Sequence, residues 1–479
     1  MATERSWNSH PVEKTMRPRP LVAILCSRAW GVRNVVHSGL LTELQRRGLR
    51  TCIIAARYPG CEPRQDWGDE VDRVELLRAQ VIGSERGRPF LNAVLHASFS
   101  RRYGVNFRRI VSRWGRRNDG AWLGVRHVVV EALSVLGGLE PFYSWQVRYR
   151  DRWVRRSQDI GPVLLQLRRL EPSLVVSTNA QFSDELPYLF AAHDLGIPTL
   201  GCIQSFDNLT TRGVLPVFDY YAVWNQRMMD QVLRFHADRD RRAIHVTGTP
   251  QFDFHVRPEW RWSRDVTLQR LGLRSDDRYI VYAPSGLPTE PMLLAALSER
   301  CSQAPGLERH RIVVRPHPVD EPDRWERAVA HDDRLMLSWP WKRVPGVPWD
   351  APDLVRAEDQ SHLVSTLLHA DACLSTASTI ALDAAALTHY RPIMDSGGVR
   401  LTHDLAELVS ETLAYVRDRA RDDLERKRLV ASECGLVDGR SGARVANLIA
   451  DLCWGRAVTT ASERTYARMA RAEQGVGHG

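Results

Sequence analysis

RIVVRPHP (311–318) and DACLSTASTIALDAAAL (371–387) decide how this chain is read. The first is a β-branched run that stops at Pro316-His317-Pro318. A short unbroken apolar run of this kind reads as a strand covered on both faces of a parallel sheet, delivering polar residues at its C-terminal edge. The second repeats the device: an apolar strand over 372–374, hydroxyls at Ser375, Thr376, Ser378 and Thr379, then a helix. Hydroxyls and free backbone N–H groups at a helix N-terminus, backed by the positive end of its dipole, suit a phosphate. One strand end carries Arg315 and His317 and the other an anion cradle, so together they predict a pyrophosphate site.

Around this pair the second half of the chain reads as an α/β domain over 276–455. A strand over 279–283 ends in Pro284-Ser285-Gly286, and a helix over 291–301 leads into RIVVRPHP. Further strands are expected over 334–338 and 392–394, with a helix over 361–369. The proline- and tryptophan-rich loop 339–352 reads as a surface flap. The tail from 404 reads as helical, and 456–479 as a loose end.

The first half shows the same rhythm over 20–253. LVAILC (21–26), a helix with apolar residues at Val32, Val35, Val36, Leu40 and Leu44, and a strand over 51–55 make a βαβ unit with a right-handed crossover. No G-x-G-x-x-G follows the first strand, so a dinucleotide site there has little support. The loop 27–34 still sits where ligands of open α/β sheets bind; Gly31, Arg33 and, beyond it, His37 are acceptor-side candidates. The rhythm returns at 174–177, before a helix whose start carries Asp184 and Glu185. Acids there also suit the helix dipole without any further role. A strand over 199–203 runs into QSFDNLTTRG (204–213), richer in hydrogen-bonding groups than a connector requires, and Asp207 and Asn208 are placed in the cleft on that basis. Strands over 220–223 and 244–246 follow, the second ending in Thr247-Gly248-Thr249-Pro250. Residues 254–275 read as the linker.

Composition narrows the class. At 479 residues, 43% hydrophobic and 26% charged, the chain suits two soluble α/β units. No eighteen-residue stretch is free of charge, which argues against a spanning helix. Residues 1–19 lack an apolar core segment and read as a disordered tail rather than a signal peptide. Eight cysteines without a C-x-x-C pair disfavour structural zinc and a disulfide framework and fit a reducing cytosol. The net charge of +9 is concentrated: residues 101–156 hold thirteen arginines and no lysine against four acids. The stretch 71–161 loses the βα rhythm and mixes these arginines with aromatics. It reads as a helical insert that either packs on the domain or meets an anionic membrane surface, with the membrane slightly favoured. No nucleic-acid module is recognisable in it.

TGTPQFD (247–253), APSG (283–286), RPHP (315–318), STASTIALDAAAL (375–387) and LVDGRSGARVANLI (436–449), in that order, resemble nucleotide-dependent transferases of GT-B fold. The likeness is to the CDP-glycerol glycerophosphotransferase and capsular-polysaccharide glycosyltransferase group, with a similar architecture in UDP-N-acetylglucosamine 2-epimerases. It covers 172–450. The resemblance implies two Rossmann-like domains facing a cleft, a nucleotide-activated donor held mainly by the second, a glycan or lipid-linked acceptor, and no cofactor or metal. Carried over by position, His317 would contact the donor phosphate, and Ser378 and Thr379 would hold the pyrophosphate. Asp383 would orient ribose or brace the loop. Ser285 and Gly286 would let the backbone approach the donor, Arg315 and Pro318 would border it, and Gly248 and Thr249 would reach it from the first domain. For the base that takes the acceptor proton, Asp207 stands first, with Asp184, Glu185 and His37 behind it. A 2-epimerase would need acids where this chain has Asn179 and Gln204. A non-catalytic binder of anionic lipid or nucleic acid is the third possibility.

Overall fold

The computed structural model describes residues 18–58, 61, 67, 71–78, 80–81, 88–104, 121–179, 184–205, 208–211, 217–236, 239–375, 397–400 and 402–456. In chain order its strands are β1 (Leu21–Cys26), β2 (Arg50–Ala55), β3 (Arg73–Leu76), β4 (Gln80–Val81), β5 (Gln158–Asp159), β6 (Leu174–Ser177), β7 (Thr199–Cys202), β8 (Tyr220–Val223), β9 (Ile244–Val246), β10 (Arg278–Ala283), β11 (His310–Val314), β12 (Leu335–Leu337) and β13 (Ala372–Ser375). Seven of them form one sheet in the order β3-β2-β1-β6-β7-β8-β9, and four form a second in the order β12-β11-β10-β13. Pairing within both sheets is parallel. Parallel strands need crossovers, and the crossover helices cover both faces. That is why LVAILC is buried at every position.

Strand order reverses at β1/β6 in the first sheet and at β10/β13 in the second. Crevices at such switch points, beyond the C-terminal strand ends, are where this class of sheet holds ligands. Each sheet has its own apolar core. Tyr279, Ile280, Val313 and Trp325 belong to the core of the second, and Ile24, Val32, Ile53 and Val176 to the core of the first.

Three expectations change. The segment 276–455 does not stay with the second sheet: the helix Ser441–Cys453 buries Val445, Ala446, Leu448 and Ile449 in the core of the first. The irregular stretch does not begin at 71, because β3 pairs with β2 as an edge strand. Its mostly exposed RVEL lacks the apolar run that marks the inner strands. The loop 339–352 is no surface flap either. Trp341, Val347 and Ala351 are buried with Ala29 of the first half, and Trp30 and Tyr58 pack against them. The strand expected at 392–394 lies outside the described residues.

Between β4 and β5, which pair antiparallel, the chain forms the helices Arg88–Tyr103, Ala121–Leu136 and Glu140–Ser157. Phe99, Tyr143 and Val154 from them share a core with Phe218, Tyr221 and Phe235. Among the described residues, no helix is long and apolar enough to cross a membrane.

Candidate functional site

A cleft lies between the two halves. Trp30 and Arg33 line it from the helix Ala29–Val35 that follows β1. Pro284, Arg315, His317, Trp341, Asp359 and Gln360 line it from the second half.

His317 reaches the cleft because β11 stops at Val314 and two prolines hold the next turn extended. Its Nδ1 accepts a hydrogen bond from the Val319 N–H at 3.1 Å, and the Asp320 N–H returns to the His317 carbonyl at 2.9 Å. An accepting Nδ1 leaves the proton of the neutral ring on Nε2. Burial lowers the pKa of this imidazole, against the raising influence of Asp320 and Glu290. At neutral pH His317 is therefore an uncharged donor. Its ring also meets Trp349 edge-on, with centroids 5.8 Å apart.

Arg315 supplies the positive charge. It is buried, its Nη1 lies 3.4 Å from the Ser338 hydroxyl, and that hydroxyl lies 3.3 Å from His362 Nε2. Burial, with the charges of Arg315 and Arg270 adding to it, pushes His362 down to about 3. Asp359 shares the cleft. Burial raises its carboxyl to about 6, opposed by the Arg356 N–H that it accepts at 2.6 Å and by Arg315. Sequence reasoning missed Asp359 and Gln360 because it began their helix at 361, whereas the helix runs Ala357–His369. An acid two residues after the N-terminal alanine was the available signal.

Ser285 and Gly286 follow β10, but their N–H groups do not face the cleft. The Glu290 carboxylate accepts from Ser285 N at 2.7 Å, Gly286 N at 3.0 Å and Leu287 N at 2.7 Å. A carboxylate one helix turn on thus fills the backbone nest expected to approach the donor, and Gly286, at φ +92°, shapes the turn. Gly248 and Thr249 are similarly placed elsewhere. A Cβ on Gly248 would lie 2.6 Å from the Ser441 hydroxyl, and Arg444 Nε donates to the Thr247 carbonyl at 2.7 Å. Asp253 accepts from Ser441 N at 3.1 Å and Gly442 N at 2.9 Å. TGTPQFD and GRSGAR therefore bind each other, where the last helix returns to the first sheet.

At the β1/β6 switch point sits Glu185, with no exposed surface. It accepts from Ser27 N at 3.2 Å, Ser27 Oγ at 2.6 Å, Ser177 Oγ at 2.6 Å and Asn179 N at 3.2 Å. Burial raises its pKa to about 7 even against these donors. With four protein donors and no exposure, this carboxyl braces the strand ends and has no path to an acceptor hydroxyl. Asp184 is ion-paired to Arg28. Gly31 is a close-packing position, since a Cβ there would lie 2.4 Å from Thr178 Oγ1. Arg33 reaches Gln251 Oε1 at 2.6 Å and lies over the Trp30 ring. Asn208 accepts the Ser205 N–H at 2.8 Å, closing its own turn. Of the acceptor-side candidates among the described residues, Arg33 lines the cleft, while Gly31, His37 and Asn208 do not. Pro318 lines it with His317. Asp207, Ser378, Thr379 and Asp383 lie outside the described residues. Among the described residues, no three His, Cys, Asp or Glu side chains are grouped to hold a metal.

Two parallel α/β sheets across a cleft, with the helix Ser441–Cys453 returned to the first, define a GT-B fold. Solved structures share it. A Listeria monocytogenes protein, provisionally assigned as a UDP-N-acetylglucosamine 2-epimerase, superposes with a TM-score of 0.53 at 11% identity, over 90% of this chain and 96% of its own. MnaA of S. aureus, solved with UDP, superposes with a TM-score of 0.51 at 10% identity, over 90% and 96%. No family model and no curated protein matches the sequence.

Proposed function

We propose that the chain is a glycosyltransferase, or polyol-phosphate transferase, moving a group from a nucleotide-activated donor to a glycan or lipid-linked acceptor in surface-polysaccharide or glycoconjugate synthesis. One observation carries this reading: a neutral imidazole and a buried guanidinium leave the end of β11 into a cleft that Arg33 borders from the other half. MnaA of S. aureus, of the same fold, was solved with UDP.

In this reading the acceptor hydroxyl attacks the transferred carbon or phosphorus. The bond from that centre to the donor phosphate oxygen breaks, and its electron pair stays on the departing nucleotide. His317 Nε2–H and Arg315 offset the charge that develops there. Neighbouring strands lie about 4.8 Å apart, so the ends of β11 and β13, with β10 between them, are about 10 Å apart. That span suits a diphosphate held by His317 at one strand end and, in this reading, by the hydroxyls of Ser378 and Thr379 after the other, with Asp383 assigned to the ribose. The acceptor proton passes to a base. With Glu185 enclosed and Asp184 paired, Asp207, after β7, is the proposed base. The setting is the cytoplasm, and a lipid-linked acceptor would be met at an anionic membrane surface through 101–156.

A nucleotide-sugar 2-epimerase is the second reading, favoured by the assignment of the Listeria monocytogenes protein. Against it, Asn179 is buried and neutral where an acid is needed, and the acid beside it, Glu185, is enclosed. Thermal-shift measurement against CMP, CDP, UDP, GDP and dTDP conjugates tests the common element, because a ligand of the folded state raises apparent stability. Nucleotide release that requires an added acceptor supports the transferase. Interconversion of sugar epimers without an acceptor supports the epimerase.

A further inference from the structure

The helices Ala121–Leu136 and Glu140–Ser157 follow one another across the turn at 137–139, and each packs against the helix Arg88–Tyr103. Their inner side is fixed to the protein. Tyr143 and Val154 join the core that holds Phe99 and Phe235, and the outer arginine pairs Arg101–Glu131 and Arg155–Asp194 clasp their flanks. Their outer side is unlike any other surface described. Val128, Val135, Leu136 and Leu139 are exposed at 67%, 57%, 48% and 58%, and Phe142 and Trp145 at 46% and 54%. Trp145 stacks on Tyr149, also exposed, with centroids 5.6 Å apart. Large apolar side chains gathered around one turn, rather than scattered, mark a contact surface.

The order of residues along that surface identifies the contact. From Phe142 the exposed positions of the second helix run through Trp145, Arg148, Tyr149, Arg152 and Arg156. At about 1.5 Å per residue, Trp145 lies about 5 Å and Arg156 about 21 Å beyond Phe142 along the axis. Aliphatic residues at the tip, aromatics next and guanidinium groups from Arg148 onward follow the sequence of a bilayer interface: acyl chains, headgroup boundary, anionic phosphates. Arg150 and Arg155 are ion-paired with Asp151 and Asp194; Arg148, Arg152 and Arg156 have no ion pair among the described residues. A second copy fits poorly. A two-fold contact through this face would set Arg148, Arg152 and Arg156 against their own copies.

We propose that this turn and the helix Glu140–Ser157 dock on an anionic phospholipid surface, with Leu139, Phe142 and Trp145 entering the headgroup boundary and Arg148, Arg152 and Arg156 on the phosphates. It sharpens the membrane contact in the transferase reading to one face, and it is measured without donor or acceptor. The test is flotation of the full chain with vesicles of phosphatidylcholine alone or mixed with phosphatidylglycerol, at low and high salt. Binding is expected to the mixed vesicles only and to fall as salt rises. Arg148→Ala, Arg152→Ala and Arg156→Ala combined should lower partitioning by about a hundredfold. Phe142→Ser with Trp145→Ser should lower it at both salt levels. All five side chains are exposed, so melting temperatures should stay at the wild-type value. The proposal is overturned if the wild type does not float with mixed vesicles at low salt, or if both variants bind as the wild type does. It is also overturned if sedimentation shows self-association that the same variants abolish without any vesicle binding. Nucleotide thermal shifts on these variants report on the transferase reading separately.

Discussion

Arg28 and Asp350 join the two halves of the molecule across the rim of the cleft. The guanidinium follows β1, the carboxylate ends the tryptophan-rich loop of the second half, and Nη1 lies 3.1 Å from both carboxylate oxygens. Arg28 also holds Asp184, and the Ala29 N–H donates to the Asp350 carbonyl at 2.7 Å. Beside this ion pair Trp30 packs edge-on between Trp341 and Trp349, at 5.8 and 5.6 Å, and Trp349 in turn touches His317. One contiguous cluster thus links the rim contact between the halves to the placement of the imidazole.

Arg28→Ala leaves Asp350, which is 5% exposed, without its cation. Truncating one partner of a largely buried pair costs about 3 kcal/mol. Urea unfolding should show a loss of that order, and small-angle scattering should show a larger radius of gyration as the halves separate. A variant with wild-type stability and dimensions would mean the rim is held elsewhere.

Glu185 should give stability a recognisable pH dependence. Its folded pKa is about 7, above the ordinary 4.5, so the folded state binds the proton more tightly than the unfolded chain does. The contribution is complete below about pH 4.5 and is lost as pH rises through 7. At 1.36 kcal/mol per unit the swing is about 3 kcal/mol. Unfolding free energies of the wild type and Glu185→Gln, compared at pH 5 and pH 8, should differ by a term that moves against the wild type as pH rises. A constant difference would show that Glu185 is ionised throughout.

Gly248 and Asp253 meet the N-terminus of the returning helix, and we propose that holding it is their role. Gly248→Ala forces a side chain into φ +73° and against Ser441, costing more than about 1 kcal/mol. Asp253→Ala strips two helix N-terminal N–H groups of their acceptor, costing about 2 kcal/mol. Both should lower the melting temperature while leaving nucleotide affinity unchanged. Weakened nucleotide binding at an unchanged melting temperature would return Gly248 to the donor site.

The parallel sheets were legible because covered strands leave near-continuous apolar runs; LVAILC, RIVV and LVVS are unmistakable. β3 was not, since an edge strand with one exposed face carries no such run. Of the site, His317, Arg315 and Arg33 were readable from their positions at strand ends or in the loop after one. Glu290, Asp350 and Asp359 were not. Their roles arise from turns that aim a carboxylate at N–H groups or at a distant arginine, and sequence spacing does not encode those distances. The same limit applies to Ser285, Gly286 and Gly248: a glycine beside a strand end marks a tight backbone, and spacing does not tell whether a ligand, a carboxylate or another helix comes close.

The most direct test of the central claim is the affinity of the wild type and of His317→Ala for the nucleotide diphosphate that gives the largest thermal shift, by titration calorimetry. Losing a hydrogen bond to a charged phosphate is worth about 1.5–3 kcal/mol, so the variant should bind at least tenfold more weakly while melting like the wild type. Equal affinity in the two proteins, or no nucleotide binding by either, would contradict a donor phosphate held at the end of β11.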